Sequence, residues 1–131
     1  MKSRLAVAAL AAACVVVVCG RPSHADEKPT EYMKQKLEMS QNILSALTQG
    51  DFKSVERSAL QMNVVNFLEK QVAKDQPQYK EYVRQLTVFE TANRELQRMA
   101  SEKNIEGATL AYTQMTVSCV QCHKLIRDAK K

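Results

Sequence analysis

The stretch Cys119-Val120-Gln121-Cys122-His123 lies near the carboxyl end of the 131-residue chain and determines how the rest of the sequence is interpreted. Residues three and four positions apart share one face of a helix, so both cysteines and the histidine can point the same way. This C-x-x-C-H spacing is typical of c-type haem attachment, in which two thiols form thioethers with two vinyl groups. The imidazole can then reach the iron as its proximal ligand. The stretch therefore predicts one covalent haem c, held by Cys119, Cys122 and His123.

Two other chemistries also use closely spaced cysteines. A structural zinc site needs four ligands, mostly cysteine and histidine, whereas the chain after residue 25 has only two cysteines and one histidine. A thioredoxin-like dithiol belongs to a βαβ unit, and no strand-like pattern surrounds Cys119 and Cys122. Both interpretations stay open as alternatives, but the sequence context favours haem attachment.

The first 25 residues have the pattern of an export signal. Lys2 and Arg4 form a positive n-region, and residues 5–19 form an apolar segment that is short for a bilayer span. Ser23 and Ala25 place small residues at the two positions that determine cleavage. We therefore expect residues 1–25 to be a cleaved signal peptide and the mature protein to be periplasmic, with no stable membrane insertion after cleavage.

Acylation of Cys14 or Cys19 would instead make a lipoprotein, but neither cysteine follows a convincing leucine-small-small triplet. Cleavage after Ala25 changes the charge, because it reduces the 19 lysines and arginines to 16 against 14 acidic residues. The net charge falls from +5 to +2. So small a charge, without a basic patch, argues against a nucleic-acid partner.

The mature chain shows helical periodicity throughout and no strand-like alternation. Gly50, Asp51 and Asn104 are residues typical of helix caps, and the connections between the periodic segments are short. Short connections favour antiparallel neighbours. The sequence therefore predicts an all-α, up-down-up-down four-helix bundle as a single domain over residues 26–131. The predicted helices run from near Pro29 to Gly50, from Phe52 to Ala73, from Pro77 to Ala100, and from Asn104 onward.

Each predicted helix has one apolar stripe, and the stripes define the expected core. In the first helix the stripe is Met33, Leu37, Leu44 and Leu47, with Met39, Ile43 and Ala46 beside it. In the second it is Phe52, Val55, Ala59, Met62, Val65, Leu68 and Val72. In the third it is Tyr79, Tyr82, Val83, Leu86, Phe89, Leu96 and Met99. In the fourth it is Ile105, Tyr112, Met115, Cys119, Cys122, His123 and Ile126.

A C-x-x-C-H sequence on the last of four helices resembles the cytochrome c prime family, the class II cytochromes c. The resemblance covers residues 32–127 and rests most specifically on Cys119, Cys122 and His123. Arg127 fits as well, since family members usually carry a basic residue four positions after the haem histidine. The family usually has an aromatic residue before that arginine, whereas this chain has Ile126.

The resemblance also implies where the distal side of the haem lies. In the family the first helix faces the sixth coordination position of the iron, with either a methionine sulfur or a shielding apolar side chain. Met33 is the candidate ligand, Leu37 the candidate shield, and Met39 a lesser candidate because it lies off the main stripe. Lys34, Lys36 and Arg127 are candidates for pairing with the haem propionates, although a solvated position is the ordinary expectation for the lysines.

The implied function is that of a monohaem electron carrier that exchanges electrons with redox partner proteins. The alternative is a five-coordinate haem that binds a small gas, nitric oxide or carbon monoxide, under Leu37. An enzyme is not expected, because His123 is the one histidine after residue 25 and no acid–base pair lies on the distal stripe. Family members often form dimers through the first two helices, so a homodimer is a further expectation.

Overall fold

The computed structural model describes residues 31–72 and 78–128, and these residues form four α-helices. Helix α1 spans Glu31–Gln49, α2 Phe52–Val72, α3 Tyr79–Ser101 and α4 Ile105–Asp128. No strand occurs among the described residues. The predicted all-α class is therefore confirmed for this part of the chain, and the observed helix ends that can be compared fall within two residues of the predicted ones. The predicted signal peptide at residues 1–25 lies outside the described residues.

The turn between α1 and α2 forms as the sequence predicts. Gly50 has a φ of +67°, and the amide of Asp51 donates to the carbonyl of Ala46 over 2.9 Å. The helix thus ends in a residue of left-handed conformation, which glycine adopts easily because it has no Cβ to clash with the backbone. The Asp51 carboxylate then accepts from the Ser54 amide at 3.1 Å and caps α2. Because the turn is so short, α2 folds back along α1.

The turn between α3 and α4 repeats this arrangement with different residues. Lys103 takes the left-handed position at φ +55°, and the Asn104 amide donates to the carbonyl of Met99 over 2.9 Å. The Asn104 side chain accepts from the Gly107 amide at 2.9 Å, which confirms the predicted cap of α4. Gly107 is required by close packing, because an added Cβ there would lie 2.2 Å from the Met99 sulfur in its present position.

Contacts between the helices place neighbours antiparallel. Asn93 of α3 bonds to the Ala59 carbonyl of α2. Tyr82, eleven residues before Asn93, bonds to Glu69, ten residues after Ala59, so α2 and α3 run in opposite directions. Each helix packs against the next one along the chain, and α1 also contacts α4. We call the end that holds Gly50 and Asn104 the turn end, and the end that holds Cys119 and Cys122 the cysteine end.

The apolar core is concentrated at the turn end and the middle of the helices. Burial of such side chains stabilises the fold by roughly 25 cal/mol per Å² of apolar surface removed from water. Met62 and Met115 lie in this core, as predicted. The main cluster consists of Ile43, Ala46, Leu47, Val55, Ala59, Met62, Phe89, Ala92, Leu96, Met99, Ala100, Ala108, Ala111 and Met115.

The apolar stripe predicted for α1 is wrong, because the face of α1 that is buried is rotated away from the predicted one. Leu37 and Leu44 were expected in the core but are 60% and 50% exposed, whereas Ile43 is fully buried. The reason is that α1 packs mainly on α2 and makes few close contacts with α4, so its α4-facing side is left open. Lys36, expected at a solvated position, lies instead on the inner face.

The inner face of α2 also differs from the prediction at the cysteine end. Leu68 is 43% exposed, and the buried positions beside it belong to Asn66 and Glu69. The predicted core residues of α2 nearer the turn end, Val55 to Val65, are buried as expected. The interior therefore changes from apolar to polar along α2. None of the four described helices has a segment long and apolar enough to cross a membrane.

Candidate functional site

The two cysteines of the C-x-x-C-H stretch lie on the inner side of α4. Both are free thiols, and both are about half-buried. Cys119 packs against the main apolar cluster, whereas Cys122 packs against a small second cluster built on Tyr82 and Leu86 of α3. The thiols therefore lie where the main core ends and the cysteine end begins.

The surroundings of the thiols keep them protonated at neutral pH. Burial raises the pKa of Cys119, and it raises the pKa of Cys122 to about 11. The negative charge of Glu69 raises both values further, whereas the positive charge of Lys36 opposes the increase. The thiolate is the nucleophilic and metal-binding form of cysteine, so these thiols have little of the reactive form at pH 7.

The position of His123 follows from the geometry of α4. Tyr112 marks the side of α4 that faces α1, because its hydroxyl lies 3.1 Å from the Ser40 hydroxyl of α1. Cys119 and His123 follow Tyr112 by seven and eleven residues and therefore lie on the same side of the helix. His123 is exposed, contrary to its predicted place on the inner stripe. It lies at the margin of the seam between α1 and α4.

Met33 and Leu37 lie on the opposite margin of this seam. Ser40, which reaches Tyr112, identifies the side of α1 that faces α4, and Met33 and Leu37 precede it by seven and three residues. Met33 is half-buried, whereas Leu37 is mostly exposed. The seam between α1 and α4 has the fewest close contacts of any pair of neighbouring helices. Both candidate distal residues are thus brought to the same seam as Cys119 and His123.

A buried charged pair, which the sequence interpretation missed, lies between α1 and α2 at the cysteine end. The Lys36 ammonium and the Glu69 carboxylate form an ion pair, and their side chains are only 11% and 5% exposed. The Tyr82 hydroxyl of α3 donates a hydrogen bond to the same carboxylate. Burial, followed by this bond and the charge of Glu69, raises the pKa of Tyr82 well above its usual range.

Further hydrogen bonds extend this network towards the surface. Lys36 donates to the Asn66 side-chain oxygen at 2.8 Å, and the Asn66 amide donates to Glu90 at 2.6 Å. Glu90 in turn pairs with Lys70 at 2.7 Å. The Lys36 ammonium also lies 4.9 Å from the centre of the Phe89 ring, a favourable cation–π distance. The charges of the network balance, and its buried members have hydrogen-bond partners.

A periodicity signal for this network was present in the sequence. Lys36, Ser40, Ile43 and Leu47 follow one another at spacings of four, three and four, as one helix face requires. Glu69 similarly continues the buried Met62 and Val65 positions of α2. The signal was missed because charged side chains were assigned to solvent, which is their usual place in proteins.

The remaining candidate residues lie outside the seam. Arg127 is exposed near the end of α4, and Lys34 is within 3.9 Å of Glu31 on the surface. Met39 packs at the edge of the main core. Within residues 31–72 and 78–128, no three or more histidine, cysteine or acidic side chains cluster in a way that could hold a metal ion.

Comparison with known proteins identifies no relative of this chain. No protein-family model, curated protein or solved structure matches the chain. The functional argument therefore depends on the geometry of the cysteine end alone.

Proposed function

We propose that the mature chain is a periplasmic monohaem c-type cytochrome of the cytochrome c prime kind, and that it transfers electrons. The observation that carries the proposal is the position of two free, half-buried thiols on the inner side of α4, with Cys119 and His123 on the side that faces the loosely packed seam with α1. The fold supports it as well, since antiparallel four-helix bundles house cofactors between their helices.

The residues at the seam fit a covalent haem in their chemistry. Each thiol of Cys119 and Cys122 adds across one vinyl group, with sulfur bonding one carbon and hydrogen the other, so both cysteines must be reduced. Protonated, unpaired thiols meet that requirement. His123 needs a ring that is accessible from the seam, and its imidazole is exposed. A bound haem would supply a one-electron iron couple, and the chain would supply its attachment and its proximal ligand.

Met33 is proposed as the distal iron ligand, with Leu37 packing beside it. Both side chains lie on the seam-facing side of α1. A thioether ligand favours low-spin iron and raises the reduction potential, which suits electron transfer. The alternative is a five-coordinate iron that binds nitric oxide or carbon monoxide under Leu37, and the large exposed apolar surface of Leu37 at the seam is consistent with it.

The attachment proposal is tested by replacing both cysteines with serine. A hydroxyl cannot form the thioether, so Cys119→Ser/Cys122→Ser should abolish covalent haem, whereas each single variant retains at most one bond. Haem staining after a denaturing gel measures the attachment in cells that also express haem-attachment machinery. Ser118→Ala, one position before Cys119 on the same helix, is the matched control and should stain fully. Undiminished staining of the double variant would refute the proposal.

The distal assignment is tested by Met33→Ala on the haem-loaded protein. Loss of the sulfur should change the absorption spectrum from low-spin to high-spin and allow rapid carbon monoxide binding. Met39→Ala removes the same side chain at the core edge and should leave the spectrum unchanged. If the wild-type protein is already high-spin and binds carbon monoxide rapidly, the gas-binding alternative replaces electron transfer as the best-supported function.

A further inference from the structure

The proposed attachment and ligation do not use the most unusual feature of the cysteine end, the buried Lys36–Glu69 pair. Charged side chains are seldom so deeply buried unless they are paired. This pair is held in place from three helices, because Asn66 of α2 bonds to Lys36 and Tyr82 of α3 bonds to Glu69. Such a network fixes two opposite charges at defined positions in the interior.

Both charges lie close to the attachment cysteines. The Lys36 ammonium lies 4.9 Å from the centre of the Phe89 ring, and Phe89 belongs to the cluster against which Cys119 packs. Tyr82, which bonds to Glu69, also belongs to the cluster against which Cys122 packs. The pair therefore lies near the cysteines on the α1 and α2 side, while the cysteines approach from α4.

This location indicates which edge of a haem the pair would face. The thioether bonds lie on the vinyl edge of the macrocycle, and the propionates lie on the opposite edge. A lysine on the cysteine side of the haem is therefore badly placed to neutralise a propionate, which was one expectation for Lys36. Its position suits an electrostatic effect on the iron instead.

We propose that the Lys36–Glu69 pair sets the reduction potential of the haem, with Glu69 favouring the ferric state and Lys36 favouring the ferrous state. This inference rests on the proposed haem function. Reduction adds one electron from a redox partner to ferric iron and gives ferrous iron, with no proton transferred. A negative charge nearby stabilises the more positive ferric centre, and a positive charge destabilises it. In an interior of effective dielectric constant about 20, one unit charge at about 10 Å shifts such an equilibrium at least about tenfold.

The experiment is a redox titration of haem-loaded variants, followed by haem absorbance. Glu69→Gln should increase the ratio of ferrous to ferric protein at a fixed potential about tenfold, which is about 59 mV for one electron. Lys36→Met should decrease the ratio by a similar factor. The double variant Lys36→Met/Glu69→Gln leaves no unpaired buried charge, so it should fold even if a single variant does not. Its potential should lie between those of the two single variants.

Surface charges provide the control. Glu95 pairs with Arg98 on the exposed side of α3, towards the turn end, and Glu95→Gln removes the same charge as Glu69→Gln. The ratio of ferrous to ferric protein in Glu95→Gln, at the same fixed potential, should stay within a factor of two of the wild type. If the pair had only a structural role, the single variants would be less stable, but their reduction potentials would not shift in opposite directions. If the potentials of the haem-loaded variants were unchanged, or shifted equally in the same direction, this inference alone would be overturned. If the wild type carried no covalent haem, the inference and the proposed function would both be overturned.

Discussion

The turn end and the cysteine end of the four helices are built on different physical principles. At the turn end, Leu96, Val55 and Ile43 are fully buried and the side chains of Asp51 and Asn104 cap two helices. At the cysteine end, the interior is occupied by a charged network, and the seam between α1 and α4 is loosely packed. The contrast indicates that apolar burial is concentrated at the turn end, whereas the cysteine end holds polar and charged groups.

The largest expected effect comes from opening a cavity at the turn end. Leu96 has no exposed surface, so Leu96→Ala should lower the free energy of unfolding by about 4 kcal/mol through lost transfer energy and a residual cavity. Chemical denaturation followed by circular dichroism measures this. Leu110→Ala deletes the same atoms at a position 72% exposed and should cost less than about 0.5 kcal/mol. Equal costs for the two variants would contradict the contrast between the ends.

The same contrast explains which features the sequence predicts and which it does not. Helix ends follow from local chemistry, and the caps at Gly50, Asp51 and Asn104 were accordingly predicted and confirmed. The rotation of α1 depends on how tightly it packs against each neighbour, and helical spacing alone does not encode that. Leu37 and Lys36 are adjacent in sequence, and only the packing of α1 on α2 decides which of them is buried.

For the candidate site, the sequence predicts the α4 residues better than those across from them. Cys119, Cys122 and His123 are recognised by their spacing. The structure places Cys119 and His123 on the side of α4 that faces α1, and Cys122 against α3. The Lys36–Glu69 pair needs two helices to be docked before either residue has a partner, because 33 residues separate them. The chemistry of haem attachment and of iron ligation at this seam stays a prediction.

An intermediate effect is expected from Tyr82 at the cysteine end. Tyr82→Phe removes the hydrogen bond to the buried Glu69 carboxylate, and a bond to a charged group contributes about 1.5 kcal/mol or more. Because the pKa of Tyr82 is raised above its ordinary value of about 10, the folded state holds this proton more tightly than the unfolded state does. That contribution is complete below pH 10 and is lost as the pH rises above it.

Chemical denaturation of the purified protein at pH 7 to 11 tests this pH dependence. The stability of the wild type should fall more steeply above pH 10 than that of Tyr82→Phe, so that the two curves converge. Tyr112→Phe is the control at neutral pH, because the Tyr112 hydroxyl bonds to a neutral serine and its loss should cost only about 1 kcal/mol. If the stabilities of the wild type and Tyr82→Phe fell in parallel as the pH rises, ionisation of the Tyr82 hydroxyl would make no contribution to the pH dependence of stability.

The smallest effects are expected from the two left-handed positions at the turn end. Gly50 and Lys103 occupy the same position in equivalent helix endings, with φ values of +67° and +55°. An added Cβ at Gly50 meets no atom within 4 Å, so Gly50→Ala tests backbone strain alone and should cost about 1 kcal/mol. Lys103→Gly removes the same strain, which should stabilise the protein by up to about 1 kcal/mol. The greater conformational freedom of glycine in the unfolded chain reduces this gain. The thermal unfolding midpoint should therefore move in opposite directions in the two variants. Because both positions lie at the end away from the cysteines, the spectrum and reduction potential of the proposed haem should stay those of the wild type. A shifted potential in either variant would mean that the two ends are coupled, and the separation of stability from cofactor chemistry would fail.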